Sequence, residues 1–186
     1  MHRALRHPSF VIGSALTLLL VAAAALSLVW TPWSPYEMNL AGKLQPPSAA
    51  HWLGTDPFGR DVASLLLVGA RNSILVGVIA VGIGLVVGTA LGLLAAARRG
   101  WVEEAVMRLS DFTIAFPALL TAIMLTAIYG PGLATSIVAI GIFNVPEFAR
   151  ITRASANAVW TREFVLAARA CGKGAWRITL EHVLPN

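Results

Sequence analysis

Residues 74–97 read ILVGVIAVGIGLVVGTALGLLAAA, an apolar run without one charged side chain. About 20 such residues in helical conformation cross the hydrocarbon core of a bilayer, so the run places the chain in a membrane. Gly84, Gly88 and Gly92 recur in it at steps of four, with Gly77 and Ala80 close to the same face. Residues four apart stack on one side of a helix, and a stripe of them without side chains lets a second helix approach closely. The run is therefore expected to be a membrane helix packed against another span or another subunit.

The composition agrees. Of 186 residues 57% are hydrophobic and only 12% are charged, about half the charged share of an ordinary soluble domain. The net charge is +5, but the positive residues are segregated along the chain. That pattern is a topology signal, not a nucleic-acid footprint, and no nucleic-acid partner is expected. The single cysteine, Cys171, excludes an intrachain disulfide and a cysteine metal cage; it reads as a small packing residue.

Upstream, Arg3 and Arg6 precede an apolar run at 10–30. The run is too long for a signal-peptide core, and its small-residue site at 22–25 falls inside the hydrocarbon, so an uncleaved first span is expected. Trp30, Trp33 and Tyr36 form its outer interfacial anchor. Residues 31–60 carry Pro32, Pro35, Pro46 and Pro47 and read as an external loop ending in HWLGTDPFGRD. His51, Asp56 and Asp61 suggest a metal or catalytic cluster at the outer surface. Their spacing puts no two of them on one helical face, and the preferred reading is turn chemistry at Asp56-Pro57 and Gly59 with Asp61 capping the next helix. A helical stretch at 62–71 then leads into residues 74–97.

Downstream, Arg98, Arg99 and Arg108 bracket a short amphipathic segment, WVEEAVMRLSDF, placed at the inner surface. A third span is expected at 113–129, with Phe116-Pro117 in its first turns, where proline is tolerated and can kink the helix, then a tight turn at Gly130-Pro131-Gly132. A fourth span at 133–149 contains Asn144 and Pro146. With four spans, eleven Lys and Arg residues fall inside and three (Lys43, Arg60 and Arg71) outside, which sets the N-terminus in the cytoplasm. Three regions are expected: the first span and start of the loop at 1–50, an external turn and helix at 51–72, and a three-span core with a terminal loop at 73–186.

No ionisable residue lies within the hydrocarbon portion of these spans, whereas ion-coupled carriers use such groups. There is no nucleotide phosphate loop, no His-Glu-x-x-His pair and no Gly-x-Ser-x-Gly elbow. No catalytic residue, metal site or cofactor is assigned. If the chain moves a solute, the energy comes from another polypeptide, and four helices need a second membrane chain to enclose a path.

The remaining stretch, residues 163–186, reads EFVLAARACGKGAWRITLEHVLPN: basic, broken by glycine, too polar to span. Thr161 is placed to cap a short helix with Glu163 in its first turn. Phe164, Ala167, Ala168 and Cys171 recur on one face, Gly172 is placed for a left-handed end, and a second short helix at 175–183 is stopped by Pro185. Small residues at such a bend let a partner's groove approach, with Arg169 and Arg177 supplying charge; a solvated interfacial helix pair is the alternative.

Ala167-Ala168, then Gly172, then Leu184-Pro185 resemble the EAA loop of ABC-importer permeases. Leu166 stands where that pattern has an acidic residue and His182 where it has an aliphatic one; both departures resemble the dipeptide/oligopeptide and nickel branch, with its YVxAARxxG…RHxLPN versions. LGTDPFGRDVASLLLVGARNSI, MRLSDFTIAFPALLTAI, YGPGLA and VPEFARITR are also similar to the C-type permeases of that branch. The resemblance implies an all-α, MetI-like ABC-importer permease core of a bacterial or archaeal plasma membrane, with four transmembrane helices present of an expected six and a C-terminal truncation at Asn186. It also implies peptide or related solute import, without enzyme activity of its own. The implied partners are cytoplasmic ATPase subunits, a second permease chain, an extracytoplasmic solute-binding protein and the lipid bilayer. Glu163, Phe164, Ala167, Ala168, Arg169, Gly172, Arg177, His182 and Pro185 are then the ATPase-coupling residues. Asn144 and Met124 are candidates for the solute path, and Asn144 is equally a candidate for helix–helix hydrogen bonding.

Overall fold

The computed structural model describes residues 7–186. Arg3 and Arg6, used above to orient the N-terminus, lie outside the described residues. Helix α1 (Pro8–Leu26) starts with proline at its first position, where a missing N–H leaves no bond unmade. Its leucines and valines are exposed around much of its surface, as on a helix whose solvent is lipid.

The loop after α1 is held by its own polar groups. The Trp33 indole donates to the Ala50 carbonyl at 2.8 Å, and the Thr55 hydroxyl accepts from the Gln45 N–H at 2.8 Å while donating to the Gly42 carbonyl. Asp56 accepts from the Phe58 and Arg60 backbone N–H groups and from the Arg60 guanidinium. Asp61 caps the following helix as expected, its Oδ2 accepting from the Ser64 N–H and hydroxyl at 2.8 Å each. Its other oxygen faces His51 Nδ1 at 3.1 Å. Burial alone raises the Asp61 pKa, but the bonds from Ser64 and His51 outweigh it and hold the carboxyl below its usual range. Both acids of the imagined outer cluster are thus committed to turn and cap. Among the described residues no group of three His, Cys, Asp or Glu side chains is placed to hold a metal ion.

Helix α2 (Val62–Arg98) joins the expected leading stretch and the apolar run into one 37-residue rod. Arg99 and Gly100 then take positive φ values of 49° and 58°, which end α2 and lead into α3 (Gly100–Ala115). Here the structure corrects the expected third span. Residues 113–129 are not one helix: α3 ends at Ala115, Phe116 is extended, and α4 (Ala118–Tyr129) begins after Pro117. The two helices meet at a bend of 83°. Proline has no N–H to donate and its ring disfavours helical geometry in the residue before it, so Phe116-Pro117 breaks the segment, a larger effect than the kink expected in its first turns. Among the described residues three helices are each long and apolar enough to cross a membrane, or four crossings if the bent α3–α4 pair is counted as one.

The fourth span expected at 133–149 lies within a longer helix. Helix α5 (Leu133–Trp160) runs through Pro146 and past the expected end at Ala149 for three more turns. The chain forms two compact units, one ending at Leu75 and the other covering Val76–Asn186. Within the second, the glycine stripe of α2 meets α5 of the same chain. A Cβ built on Gly84 would overlap Asn144. One on Gly88 would lie 2.6 Å from both Phe148 Cβ and the Val145 carbonyl oxygen, and one on Gly92 2.6 Å from the Ala149 oxygen. Gly141 on α5 returns the favour by accommodating Ile83. Ion pairs tie α3 to α5: Arg153 to Glu103 at 2.6 Å, and Arg150 to Asp111.

Candidate functional site: the loop that follows the last long helix

After α5 the chain turns through Thr161 and Arg162 into α6 (Glu163–Ala170). The Thr161 hydroxyl donates back to the Ala158 carbonyl at 2.9 Å. It therefore closes α5 and does not cap α6, whose cap position is held by Arg162 without a side-chain bond. Glu163 lies in the first turn as expected, beside the positive end of the helix dipole.

The end of α6 is the cap that glycine makes possible. Gly172 has φ +81°; its N–H donates to the Arg169 carbonyl at 3.0 Å, and the Lys173 N–H reaches the Ala168 carbonyl at 3.2 Å. These two bonds satisfy carbonyls that the helix leaves open. Helix α7 (Ala175–Ile178) follows and widens into a π-helical turn, Thr179–Val183, in which the Leu184 N–H donates to the Thr179 carbonyl at 2.8 Å. The second helix expected at 175–183 is thus present, but with two geometries.

A small core fastens this loop to the long helices. Val165, Ala168, Ile178 and Val183 are buried together with Ala96 of α2 and Ala156 and Trp160 of α5. Ile178 is among the largest fully buried side chains. Ile178→Ala is expected to cost about 2–5 kcal/mol locally and to free the loop. Limited trypsin digestion at Arg169 and Lys173 in detergent should accelerate strongly in the variant, while Trp176→Ala, at an exposed side chain, should leave the rate unchanged.

The outward side is different from the one the apolar spacing suggested. Ala168 faces inward with Val165, whereas Phe164, Leu166, Ala167, Arg169 and Gly172 are exposed. Cys171 is exposed too, so it is not the packing residue expected from its neighbours. Trp176, exposed beside Arg177, adds an aromatic contact that was not anticipated. His182 is half-buried, its ring 6.3 Å edge-on from Phe164 and its Nε2 3.2 Å from Lys173 Nζ. Arg177 and Lys173 both bind Glu181 at 2.6 Å; the Arg177 bond first, then that of Lys173, holds the Glu181 carboxyl down to about 2. Pro185 is exposed just past the π turn.

The sequence reading missed the anchors: Val165, Ile178 and Val183 look like any aliphatic residues, and Trp160 lies beyond the span expected at 133–149. Their only signal is spacing within a stretch apolar on several sides. Of the solute-path candidates, Asn144 stands at the Gly84 crossing and Met124 is exposed on α4.

These features define a polytopic membrane protein whose long helices carry a folded loop. The family model for the binding-protein-dependent transport system inner membrane component matches residues 88–186, more than half of the chain. The chain belongs to that family. It is 40% identical to a dipeptide transport system permease protein of Alkalihalophilus pseudofirmus over 95% of its own length and 58% of that protein. It is 38% identical to a glutathione transport system permease protein of Pectobacterium atrosepticum over 99% of its length and 62% of that protein. A di/tripeptide transport system permease protein of Pseudomonas aeruginosa is 40% identical, with 97% and 62% covered. The chain thus spans about three-fifths of the length of these curated relatives.

Proposed function

We propose that the chain is the membrane part of a permease subunit in an ATP-driven importer for di- or oligopeptides or a related small solute. Its N-terminus lies in the cytoplasm, and an ATPase subunit grips the exposed side of α6 and the Gly172 bend. A second permease chain completes the path, and an extracytoplasmic binding protein delivers the solute. The names of the three relatives support the solute class. The observation that carries the coupling role is the double character of the loop: one side is buried against α2 and α5, and the other presents Phe164, Ala167, Arg169 and Gly172.

A loop fastened in this way transmits displacement. Motion of the ATPase cleft, applied at α6, passes through Val165 and Ile178 into Ala96, Ala156 and Trp160. The close α2–α5 crossing at Gly88 and Gly92 then carries that displacement as one packed contact. Asn144, at the Gly84 crossing, serves this packing, and Met124 on α4 is left as the solute-facing candidate.

The chain supplies its own probe. Cys171 is its only cysteine, is exposed and adjoins Gly172. A photoactivated maleimide attached to Cys171 in native membranes should capture the ATPase subunit, with a yield that changes between nucleotide-free and ATP-bound states. Adducts to lipid alone, in both states, would overturn the coupling assignment.

A further inference from the structure

Between the end of α2 and the loop, reached by Arg169 of α6, lies a cavity of about 330 Å³. Arg98, Arg99, Arg169 and Lys173 line it, Ala96 contributes to its floor, and Trp160 forms part of its wall. No carboxylate lines it. Lys173 is paired with Glu181, but Arg98, Arg99 and Arg169 have no ion-pair partner among the described residues. Arg98, Arg99 and Arg169 are exposed and Lys173 is half-buried; four cations gathered over an apolar floor repel one another, and an anion relieves them. Trp160 is only 7% exposed, and its indole Nε1–H is buried without an acceptor. A buried donor left open is rare in a finished site.

The chemistry and the position together narrow the anion. Arg98 is the last residue of α2 and directly follows the uncharged run of residues 74–97. If α2 spans the bilayer, its guanidinium stands where the hydrocarbon ends and lipid phosphates begin. Tryptophan favours the same depth. We propose that this cavity binds the phosphate of an anionic phospholipid headgroup. The phosphate would bridge Arg98 and Arg99, at the end of α2, to Arg169 and Lys173 of the loop. Anionic lipid would thereby stiffen the loop against α2. The inference rests on α2 crossing the bilayer, not on transport or on the nature of the solute.

The test uses the purified chain in detergent, with native mass spectrometry reading bound lipid during titration with phosphatidylglycerol or phosphatidylcholine. Phosphatidylglycerol should be retained selectively, and inorganic phosphate at equal concentration should not displace it. R98Q/R99Q should weaken retention about fivefold for each charge removed. R108Q, whose side chain is exposed and paired with Glu104, should bind as the parent does. Should R98Q/R99Q lose its helical circular dichroism, R169Q on the exposed side of α6 carries the same fivefold expectation. Trp160→Phe, which keeps a ring but removes the donor, should also weaken retention.

Unchanged phosphatidylglycerol binding in the folded arginine variants, or equal retention of phosphatidylcholine, would overturn the proposal. Full displacement by inorganic phosphate would overturn the lipid as its source. Because neither ATPase nor solute is present, failure here leaves the coupling assignment standing, and failure of the Cys171 capture leaves the lipid site standing.

Discussion

Gly172→Asp, introduced into the whole transporter, should abolish solute-stimulated ATP hydrolysis and co-purification of the ATPase while leaving the permease folded. The expected size follows from where the new side chain would go. A Cβ built on Gly172 meets nothing within 4 Å in the chain, so no internal clash arises. The backbone, at φ +81°, costs about 1 kcal/mol for a residue other than glycine, and aspartate is among those that tolerate it best. What remains is a carboxylate at the bend that an ATPase groove must approach, unpaired and desolvated on contact. Gly172→Asn separates the causes, since it carries nearly the same shape and backbone strain without the charge. It should retain measurable stimulation. If hydrolysis and co-purification in Gly172→Asp match the parent, the bend does not touch the ATPase.

The second large effect lies in the membrane. Gly88→Val should destabilise the chain by about 3 kcal/mol or more, visible as a lowered midpoint of thermal unfolding in detergent. The first carbon beyond Gly88 would already lie 2.6 Å from the Val145 carbonyl oxygen and 3.0 Å from the Ala149 nitrogen. Those are backbone atoms of α5, which cannot swing aside as a side chain can. Gly82→Val is the control on the same helix, because nothing lies within 4 Å of its built Cβ. Equal stability of the two variants would mean that α2 and α5 do not cross at Gly88.

Much of this was legible before any coordinates, and the parts that were not share a cause. Gly84, Gly88 and Gly92 announced a close helix crossing through their register alone; the register could not say that the partner was Asn144 to Arg153 of the same chain. Asp61 and Gly172 were readable because a cap is a local device, settled within five residues. The full length of α5 was not legible from hydropathy, because a charged residue such as Arg150 marks where a helix leaves hydrocarbon, and leaving hydrocarbon does not end a helix. The break at Phe116-Pro117 was underestimated because hydropathy runs smoothly across it, while a proline's effect depends on whether helix already precedes it, as α3 does. In the loop, apolar residues occupy five successive positions, Phe164 to Ala168. Such a run fits more than one helical phase, and only tertiary contact decides that Val165 and Ala168 go inward.

Pro146 gives α5 a mechanical property of its own. It sits inside an otherwise continuous helix and withholds the bond that residue 142 would receive, which makes this the most compliant point of the rod. From there to Trp160 the arm is about 21 Å long at 1.5 Å per residue. A 10° swing about that fulcrum would carry the Trp160 end through about 4 Å by the same helical rise, while Val145 beside it hardly stirs. The other arm, from Pro146 back to Leu133, is about 20 Å long by the same rise, so the two arms are nearly equal. In such a balanced rocker, travel at the surface reappears within the bilayer at nearly full size.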